Sequence, residues 1–558
     1  MQYLGEPTVF SATQLYAMFL GQLRNTASKE LKGAVNDVVI AVPVWYTEIQ
    51  RRAVMDAAEI AGLNPLRLIN DITATALGYG ITKTDLPAAD EPSRYIAFVD
   101  IGHSDYSVSI VAFNKGSLVV KGTAYDRHFG GRDLDYALVQ HFAAEFKTKY
   151  KIDVLTNKKA LFRLSASVEK LKKILSANAV APLSVESIME DIDASSSLTR
   201  EDLEALIAPL LERTIAPLER ALAEAGITKE QIEAVELVGG STRVPSLKSR
   251  IEEFFGRPLS FTTNQDEAIA RGATLACAML SPVFKVREFT TTDTQLFPIK
   301  FVWEQAADAE ADEGTELIAF DKGNAVPSTK ILSFNRSAAF EVEARYADSN
   351  TLPGGINPWI GKYTVKNIAP PANGGKQVVK VKARLNLSGV LNFESATLYE
   401  DGPEELVEDV PEVEAEVKEG EEAAVDAAPA VKEVKKVRKT IKTVLSTISS
   451  GSGLEASVLN EYREKEGQMS STDKLVLETE VRFFISFLRF LRLTPVRSQD
   501  RKNALEEYVY DVREKLDGQW SKYVNNSDKD TLRAKLSEAE DWLYTEEGTS
   551  SLSTHSQL

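Results

Sequence analysis

Residues 96–113 constrain the fold more than any other segment, because they have the pattern of two strands joined by a tight turn. The apolar run from Ile96 ends at Asp100, and 107–113 alternates as a half-buried strand does. An Asp-x-Gly turn between these strands would place a carboxylate beside several backbone N–H groups. Such a turn can hold a phosphate and its magnesium ion, although most strand-turn-strand units bind nothing.

Length, charge and cysteine usage narrow the class of protein. A chain of 558 residues predicts two to four domains. Its formal charge is −17, of which residues 401–430 carry −11, from twelve acids and one base. A nucleic-acid binder would show a basic face, and the sequence shows no large basic patch. The single Cys277 excludes a disulfide scaffold and fits a reducing compartment, and with only four histidines a dedicated zinc site is disfavoured.

The sequence shows no targeting or membrane-spanning pattern. The first 18 residues lack a basic segment followed by an apolar one, as a secretory signal would have. No window reaches the ~18 uninterrupted apolar residues of a membrane span. We therefore expect a cytoplasmic protein.

The first 283 residues alternate between helix and strand patterns, which predicts α/β architecture. The predicted elements before the hairpin are a helix over 10–23, a strand over 37–42, a helix from Thr47 to Gly62, a strand over 66–70 and a small-residue helix over 71–80. After the hairpin, residues 198–225 predict one or two helices broken near Pro209 and Pro217.

A second candidate turn follows the apolar strand within 234–238. Gly239 and Gly240 would let backbone N–H groups approach a ligand, and Ser241 or Thr242 could cap the next helix. A helix N-terminus there would favour an anion by about 0.3–1 kcal/mol. An ordinary strand-to-helix turn explains the same residues equally well.

The remaining 275 residues change pattern three times. Short alternating segments predict an antiparallel β domain over 284–400, and the acidic then basic stretch 401–443 predicts a disordered insertion. Residues 444–545 predict helices, and 546–558 an irregular tail. Within the helices, 481–499 is far more apolar than its flanks. A retained intron is the favoured explanation, and a real helix with an exposed apolar face is the alternative.

Five segments in order (71–80, 96–113, 126–142, 169–176 and 235–247) resemble the actin-like ATPase domain of the seventy-kilodalton heat-shock chaperones. Within that superfamily the chain is most similar to the large, one-hundred-ten-kilodalton class, through its loop GHSDYS, its WYTE after Pro43 and its acidic insertion. The resemblance implies a multidomain α/β + β + α chain. Its parts would be an actin-like ATPase domain over 1–283, an antiparallel β-sandwich of the substrate-binding type and a C-terminal helical lid bundle.

The resemblance also implies site residues. Asp100 would hold magnesium through water, and Pro43, Arg51 and Asp71 would relay nucleotide state between domains. The residues it places around ATP or ADP are Asp100, Gly102, His103, Ser104, Asp105, Gly130, Gly131, Glu169, Lys172, Lys173, Ser176, Gly239, Gly240, Ser241, Arg243 and Asp266.

Departures from the family pattern argue against catalysis. Hydrolysing relatives have three glycines and a threonine where this chain has Gly102, His103, Ser104 and Asp105, and Ser107 replaces a carboxylate. Asp105 would repel a γ-phosphate unless a metal or a proton intervenes. We expect nucleotide binding with little or no hydrolysis, and no catalytic residue.

The likeness begins in the middle of the family's ATPase domain. The family's first phosphate hairpin and its γ-phosphate lysine have no counterpart before Phe10. This predicts an N-terminally truncated chain with an incomplete first subdomain and weakened ATP binding.

The favoured function is that of an ATP-binding co-chaperone of the stress response. It would act as nucleotide exchange factor for a seventy-kilodalton chaperone and hold unfolded polypeptides, without nucleic-acid or membrane partners. The alternative is an ATP-hydrolysing foldase of the same superfamily. An actin-like sugar kinase is disfavoured because it needs neither a β domain nor a lid. A further alternative is that the sequence is the non-functional product of a faulty gene model.

Overall fold

The computed structural model describes residues 2–3, 6–305, 314–369, 377–408, 434–491, 498–518, 520 and 526–543. The chain divides into two compact units, one of residues 20–454 and one of residues 1–19 with 455–558. None of the described helices is long and apolar enough to cross a membrane.

The α/β part of the chain comprises nine helices and eleven strands among its described residues. In chain order these are β1 (Gln2–Tyr3), β2 (Glu6–Pro7), α1 (Ala12–Leu31), β3 (Asp37–Val42), α2 (Glu48–Ile60), β4 (Asn64–Asn70), α3 (Asp71–Thr82), β5 (Arg94–Ile101), β6 (Tyr106–Asn114), β7 (Ser117–Asp126), α4 (Gly131–Lys149), α5 (Lys158–Ala177), β8 (Val180–Met189), β9 (Ile192–Thr199), α6 (Arg200–Leu211), α7 (Ile215–Ala225), β10 (Ile232–Val238), α8 (Pro245–Phe255), α9 (Ala268–Leu280) and β11 (Thr290–Thr294).

The later part comprises strands followed by helices. These are β12 (Ile299–Trp303), β13 (Glu316–Phe320), β14 (Ala325–Val326), β15 (Ser328–Phe334), β16 (Phe340–Tyr346), β17 (Trp359–Lys366), β18 (Gln377–Leu385), β19 (Leu391–Glu408), β20 (Val434–Val444), β21 (Ser446–Gly451), α10 (Ala456–Leu491), α11 (Ser498–Asp517) and α12 (Asn526–Leu543).

The predicted hairpin lies in a six-stranded sheet of order β10-β5-β6-β7-β11-β14. β5 and β6 pair antiparallel, with Asp100 opposite Ser107, and β10 pairs parallel to β5 so that Val238 lies opposite Asp100. Both candidate turns therefore follow the C-terminal ends of neighbouring strands, on the same side of the sheet. β6 is not half-buried as its alternation predicts, because α7 and α3 both pack on it and bury 106–113 throughout.

Two helix boundaries differ from the sequence prediction. Pro209 lies inside α6 and Pro217 inside α7, while the break falls between them, at a 3-10 turn over Glu212–Thr214. Pro217 is the third residue of α7, where a proline removes no intrahelical hydrogen bond. The helix predicted to start after Gly240 begins only at Pro245, behind a 3-10 turn over Gly240–Arg243.

The β region, residues 295–451, contains two sheets that share one hydrophobic core. Their orders are β13-β12-β16-β17-β21 and β15-β18-β19-β20. Phe301, Val342 and Tyr363 of the first sheet and Val381 and Leu398 of the second are buried in that core. β11 and β14 join the sheet of the α/β part instead, so residues 290–294 lie outside the β region that was predicted from 284.

The predicted insertion 401–443 is strand at both of its described ends. β19 continues to Glu408, and β20 pairs with it antiparallel from Val434 onward. The two described ends of the predicted insertion thus pair with each other instead of being disordered. The rest of the predicted insertion, 409–433, lies outside the described residues.

The predicted helical segment 444–545 begins with strand. β21 pairs with β17 over Ser446–Gly451, where Thr447 and Ile448 favour strand, and α10 starts only at Ala456. α10 continues to Leu491, into the apolar stretch 481–499, of which 492–497 lies outside the described residues, as does the tail 546–558. α11 and α12 pack through Val512, Leu516 and Leu536.

Candidate functional site

A cavity of about 280 Å³ lies where the two candidate turns leave the sheet. Seven of the predicted site residues lie on its wall, together with three residues that the sequence did not single out as ligands. The predicted ones are Asp71, Asp100, Gly102, Asp105, Gly239, Gly240 and Asp266, and the others are Ser107, Gln265 and Ile269.

The wall of this cavity is acidic. Asp71, Asp100, Asp105 and Asp266 supply its charges, and none of the residues that line it is basic. Burial, and then the nearby Asp105 carboxylate, raise the pKa of Asp100 to about 7. Burial, and then Asp100, raise the pKa of Asp71 well above its ordinary value. A polyphosphate would therefore fit this wall only together with cations.

Asp105 is fixed by a hydrogen bond from outside its own loop. The indole Nε1 of Trp45 donates to Asp105 Oδ2 over 3.1 Å. Burial raises the pKa of Asp105, while the hydrogen bond from Trp45 and the charge of Arg132 oppose that rise. The carboxylate thus stays at the cavity wall.

Ser107 is the second substituted position on this wall. Its side chain is 2% exposed, and its hydroxyl has no hydrogen-bond partner among the described residues. A buried hydroxyl without a partner is a feature of sites completed by a ligand or by water. The signal for Ser107 in the sequence is the resemblance, which implies a carboxylate at this position in hydrolysing relatives.

Main-chain contacts also hold the loop 102–105, which we call the phosphate loop. The carbonyl oxygen of Gly102 accepts from Gly131 N over 2.9 Å and from Ser241 Oγ over 2.8 Å. The carbonyl oxygen of His103 accepts from Arg132 N over 2.9 Å. The side chains of His103 and Ser104 are exposed, and neither lines the cavity.

Only two of the predicted glycines leave open space for a ligand. A Cβ at Gly130 would lie 2.5 Å from His103 O, one at Gly131 2.5 Å from Ser241 Oγ, and one at Gly239 2.4 Å from an oxygen of Asp100. These glycines serve the packing of the turns on each other. At Gly102 and Gly240 the nearest atoms would be 3.7 and 3.5 Å away.

Three predicted nucleotide-binding residues of α5 make contacts within the protein. Lys172 is 6% exposed, and its ammonium contacts Asp135 over 2.7 Å and donates to Gly131 O over 3.0 Å. Lys173 pairs with Glu169 over 2.7 Å at the surface.

Two further predicted nucleotide-binding residues also form hydrogen bonds within the protein. Ser176 Oγ donates to Lys172 O, one turn back in α5. Arg243 makes a bidentate pair with Asp266, over 2.9 and 2.7 Å. The expected capping role of Ser241 and Thr242 is wrong, because both hydroxyls donate to carbonyl oxygens of the turns instead.

Of the predicted relay residues, Asp71 lies on the cavity wall, while Arg51 lies at the contact with the β region. Arg51 is 7% exposed; it donates from Nε to Tyr46 O over 3.0 Å and from Nη1 to Ser388 O over 3.1 Å. Pro43 O accepts from Tyr46 N and closes the turn between them.

Two more arginines donate hydrogen bonds to the β-region loop that contains Ser388. Arg52 Nη2 donates to Leu391 O over 2.8 Å, and Arg67 Nε donates to Leu387 O over 3.2 Å. In return, the carboxylate of Glu48 accepts from Leu391 N over 3.1 Å. We call this contact between Glu48, the three arginines and residues 386–391 the arginine–loop contact.

Comparison with known proteins identifies the family. The family described as Hsp70 protein matches residues 1–484. The heat shock protein hsp88 of Neurospora crassa is 49% identical over 545 residues, which cover 98% of this chain and 73% of that protein. The chain belongs to the Hsp70 family. The prediction that this chain is one of the large heat-shock proteins of the superfamily is confirmed.

Other relatives in the Hsp70 family have the same extent. A heat shock protein homolog of Saccharomyces cerevisiae is 45% identical over 551 residues, covering 98% of this chain and 74% of that protein. The heat shock 70 kDa protein 14 of Arabidopsis thaliana is 41% identical over 566 residues, covering 97% of this chain and 68% of that protein. The names of these relatives describe heat shock proteins and say nothing about substrates.

The acidic wall does not form a metal cage by itself. Among the described residues, no group of three or more histidine, cysteine, aspartate or glutamate side chains is placed to hold a metal ion. A magnesium ion would thus need oxygens from water and phosphate, which is its usual mode of binding in nucleotide sites.

Proposed function

We propose that this Hsp70-family chain is an ATP-binding co-chaperone that binds nucleotide as a magnesium complex and hydrolyses it little or not at all. The observation that carries this proposal is the acidic cavity wall at which Asp105 is fixed by Trp45. A bare triphosphate is repelled there, whereas a magnesium ion bound with it would offset the charge of Asp100 and Asp71.

The chain's own residues divide the work. Asp100 would hold magnesium through water, and Gly102 and Gly240 would face the phosphates and the nucleoside. Magnesium, when bound, neutralises the phosphate oxygens. Turnover is disfavoured because Asp105 and Ser107 replace the groups that hydrolysing relatives use, and a carboxylate beside the γ-phosphate repels developing negative charge.

Toward partners, the chain acts as nucleotide exchange factor for a seventy-kilodalton heat-shock chaperone and as holdase for unfolded polypeptide. Membership of the large heat-shock class supports the first role. The β region supports the second as a sandwich of the substrate-binding type, with Leu317, Ile318 and Ile331 exposed on its strands β13 and β15. Helices α10–α12 would form the lid.

The nucleotide site is tested by calorimetric titration with ADP and ATP, in magnesium and in EDTA. We expect binding in magnesium and a loss of at least about 100-fold in EDTA, since the cavity wall has no cation of its own. Asp105→Asn should reduce that dependence on magnesium. Tight binding of ATP in EDTA would contradict the proposal.

The exchange role is tested by the release of labelled ADP from a seventy-kilodalton chaperone. We expect acceleration by the wild-type chain, and no acceleration would count against the role. Steady-state ATP hydrolysis is measured in parallel with a J-domain protein. Strong stimulation of hydrolysis would favour the foldase alternative instead.

A further inference from the structure

Glu236 is a buried carboxylate that lies outside the cavity wall. It belongs to β10 and is 1% exposed. Both of its oxygens accept from one residue, Oε1 from Thr262 Oγ1 over 2.6 Å and Oε2 from Thr262 N over 3.1 Å. No ion pair among the described residues includes Glu236. Because a buried carboxylate is costly unless its oxygens are hydrogen-bonded, the two bonds to Thr262 are what stabilise it in the strand.

Thr262 belongs to a segment that runs along the free edge of the six-stranded sheet. β10 is the edge strand beside β5. Ser260 forms a single parallel bridge with Glu236, in which Ser260 N donates to Val235 O over 2.8 Å and Leu237 N donates to Ser260 O over 3.2 Å. The bonds from Thr262 to the Glu236 carboxylate extend this contact by two residues.

The same segment supplies part of the cavity wall. Gln265 and Asp266 line the cavity. Gln265 O accepts from Gly239 N over 3.0 Å, so the segment also contacts the second candidate turn. Thr262 lies only three residues before Gln265. The anchoring of Thr262 by Glu236 therefore limits where Gln265 and Asp266 can lie.

We propose that Glu236 is a positioning residue of the nucleotide site, which fixes Thr262 and thereby places Gln265 and Asp266 on the cavity wall. The inference deepens the proposed function and rests on it, because it takes the magnesium complex of ADP as the ligand of that wall. Glu236 itself does not line the cavity, so it acts only through the segment 262–266. Loss of its two bonds would let this segment move away from β10 and would open the wall.

The first test is hydrogen exchange on the full chain without nucleotide. The amide of Gly239 donates to Gln265 O, so its exchange reports whether 262–266 is in place. Glu236→Leu removes both acceptors and should speed this exchange by about tenfold, as expected for loss of a hydrogen bond to a charged group. Glu236→Gln keeps an oxygen for Thr262 N and offers an amide donor to the Thr262 hydroxyl, so it should stay within about twofold of the wild type. Unchanged exchange in Glu236→Leu, or equal acceleration by both variants, would overturn the proposal.

The second test is calorimetric titration with the magnesium complex of ADP. Glu236→Leu should lower the affinity by about five- to tenfold, and Glu236→Gln should retain most of it. Thr262→Val removes only the hydroxyl donor, at an exposed position, and should lower the affinity by about threefold. The double variant Glu236→Leu with Thr262→Val should bind no more weakly than Glu236→Leu alone, and multiplying effects would count against a shared role.

Val235→Ala is the matched control for general stability. Val235 precedes Glu236 in β10 and is fully buried, so shortening it leaves a cavity in the core, whereas the Ser260 bridge uses only its main chain. This variant should lower the urea midpoint and keep the affinity for the magnesium complex of ADP within about twofold of the wild type. An equal loss of affinity in Val235→Ala and Glu236→Leu would mean that both act through stability, and it would overturn the proposal.

Exchange and affinity together keep the two proposals apart. If Glu236→Leu frees the Gly239 amide but the wild type binds no nucleotide, the proposed function fails and the positioning of 262–266 by Glu236 stands. If the wild type binds nucleotide and Glu236→Leu binds it equally well, the inference about Glu236 fails alone.

Discussion

The acidic cavity and the arginine–loop contact use charge in opposite ways. Two cations near the cavity are already paired at the surface, Arg243 with Asp266 and Lys173 with Glu169, and solvent screens both pairs. At the arginine–loop contact, Arg51 is buried and donates to neutral carbonyl and amide oxygens. The cavity is thus open to exchange with ions and ligands, whereas the contact is fixed by the protein itself.

The largest expected effect comes from breaking the contact. Arg51→Ala should lower the free energy of unfolding by about 3 kcal/mol, because it leaves buried acceptors at Tyr46, Asn70 and Ser388 without a donor. Urea unfolding measures the loss, and hydrogen exchange at Leu391 shows whether the loop is released. Arg345→Ala, which removes an exposed pair with Glu343, is the matched control and should cost far less. Equal losses would contradict the contrast between the two regions.

The next effect comes from removing a buried charge at the cavity. The pKa of Asp100 is about 7 when folded and about 4 when unfolded, so the folded chain binds the extra proton between these values. The stability of the wild type therefore falls as pH rises through that window. Asp100→Asn does not titrate, and it should be more stable than the wild type by about 2–4 kcal/mol at pH 8.

This advantage of Asp100→Asn should shrink toward pH 5. Urea midpoints at pH 5, 6 and 8 measure it. Asp266→Asn is the control, since Arg243 holds the pKa of the exposed Asp266 below its usual range. The difference in urea midpoint between Asp266→Asn and the wild type should not grow between pH 6 and 8. A constant advantage of Asp100→Asn across this range would show that Asp100 is ionised throughout.

Packing at the contact gives a smaller effect. Gly389 has φ +69°, and a Cβ there would lie 3.4 Å from Nη1 of Arg51. Gly389→Ala should cost about 1–2 kcal/mol in backbone strain and also disturb the arginine. Gly323→Ala is matched, because Gly323 has φ +82° with no atom within 4 Å of the added Cβ. Urea unfolding should show a larger loss of unfolding free energy for Gly389→Ala than for Gly323→Ala. Equal losses would mean that the Arg51 side chain moves aside without cost.

The sequence predicted most of the α/β elements because their patterns are local. The apolar run into Asp100 and the small residues of 71–80 identified β5 and α3 within a few residues. It mispredicted the start of α8, since Ser241 and Thr242 look like caps. Ser241 donates instead to Gly102 O of the other turn, and Thr242 to Gly239 O of its own turn. It also missed the ends of the insertion, where β20 depends on pairing with β19.

The candidate site was predicted by family resemblance rather than by local pattern, and its limits follow from that. The seven predicted residues on the cavity wall all lie at or beside strand ends or turns, which the motifs mark. The hydrogen bond from Trp45 to Asp105 was not predicted, because the two residues lie 60 positions apart in the sequence. Likewise, no local signal shows that Lys172 is buried against Asp135.

The smallest expected effect concerns the surface pair beside the cavity. Arg243→Ala should leave the urea midpoint unchanged, yet Asp266 would then face an incoming phosphate without its guanidinium partner. We expect affinity for the magnesium complex of ADP to fall by about threefold, and Arg243→Ala with Asp266→Ala to recover it. Because the pair is exposed, the difference should vanish at high salt, where screening is strong. A loss of affinity that persists there, or that the double variant does not reverse, would mean that Arg243 contacts the nucleotide directly and that the cavity has a cation of its own.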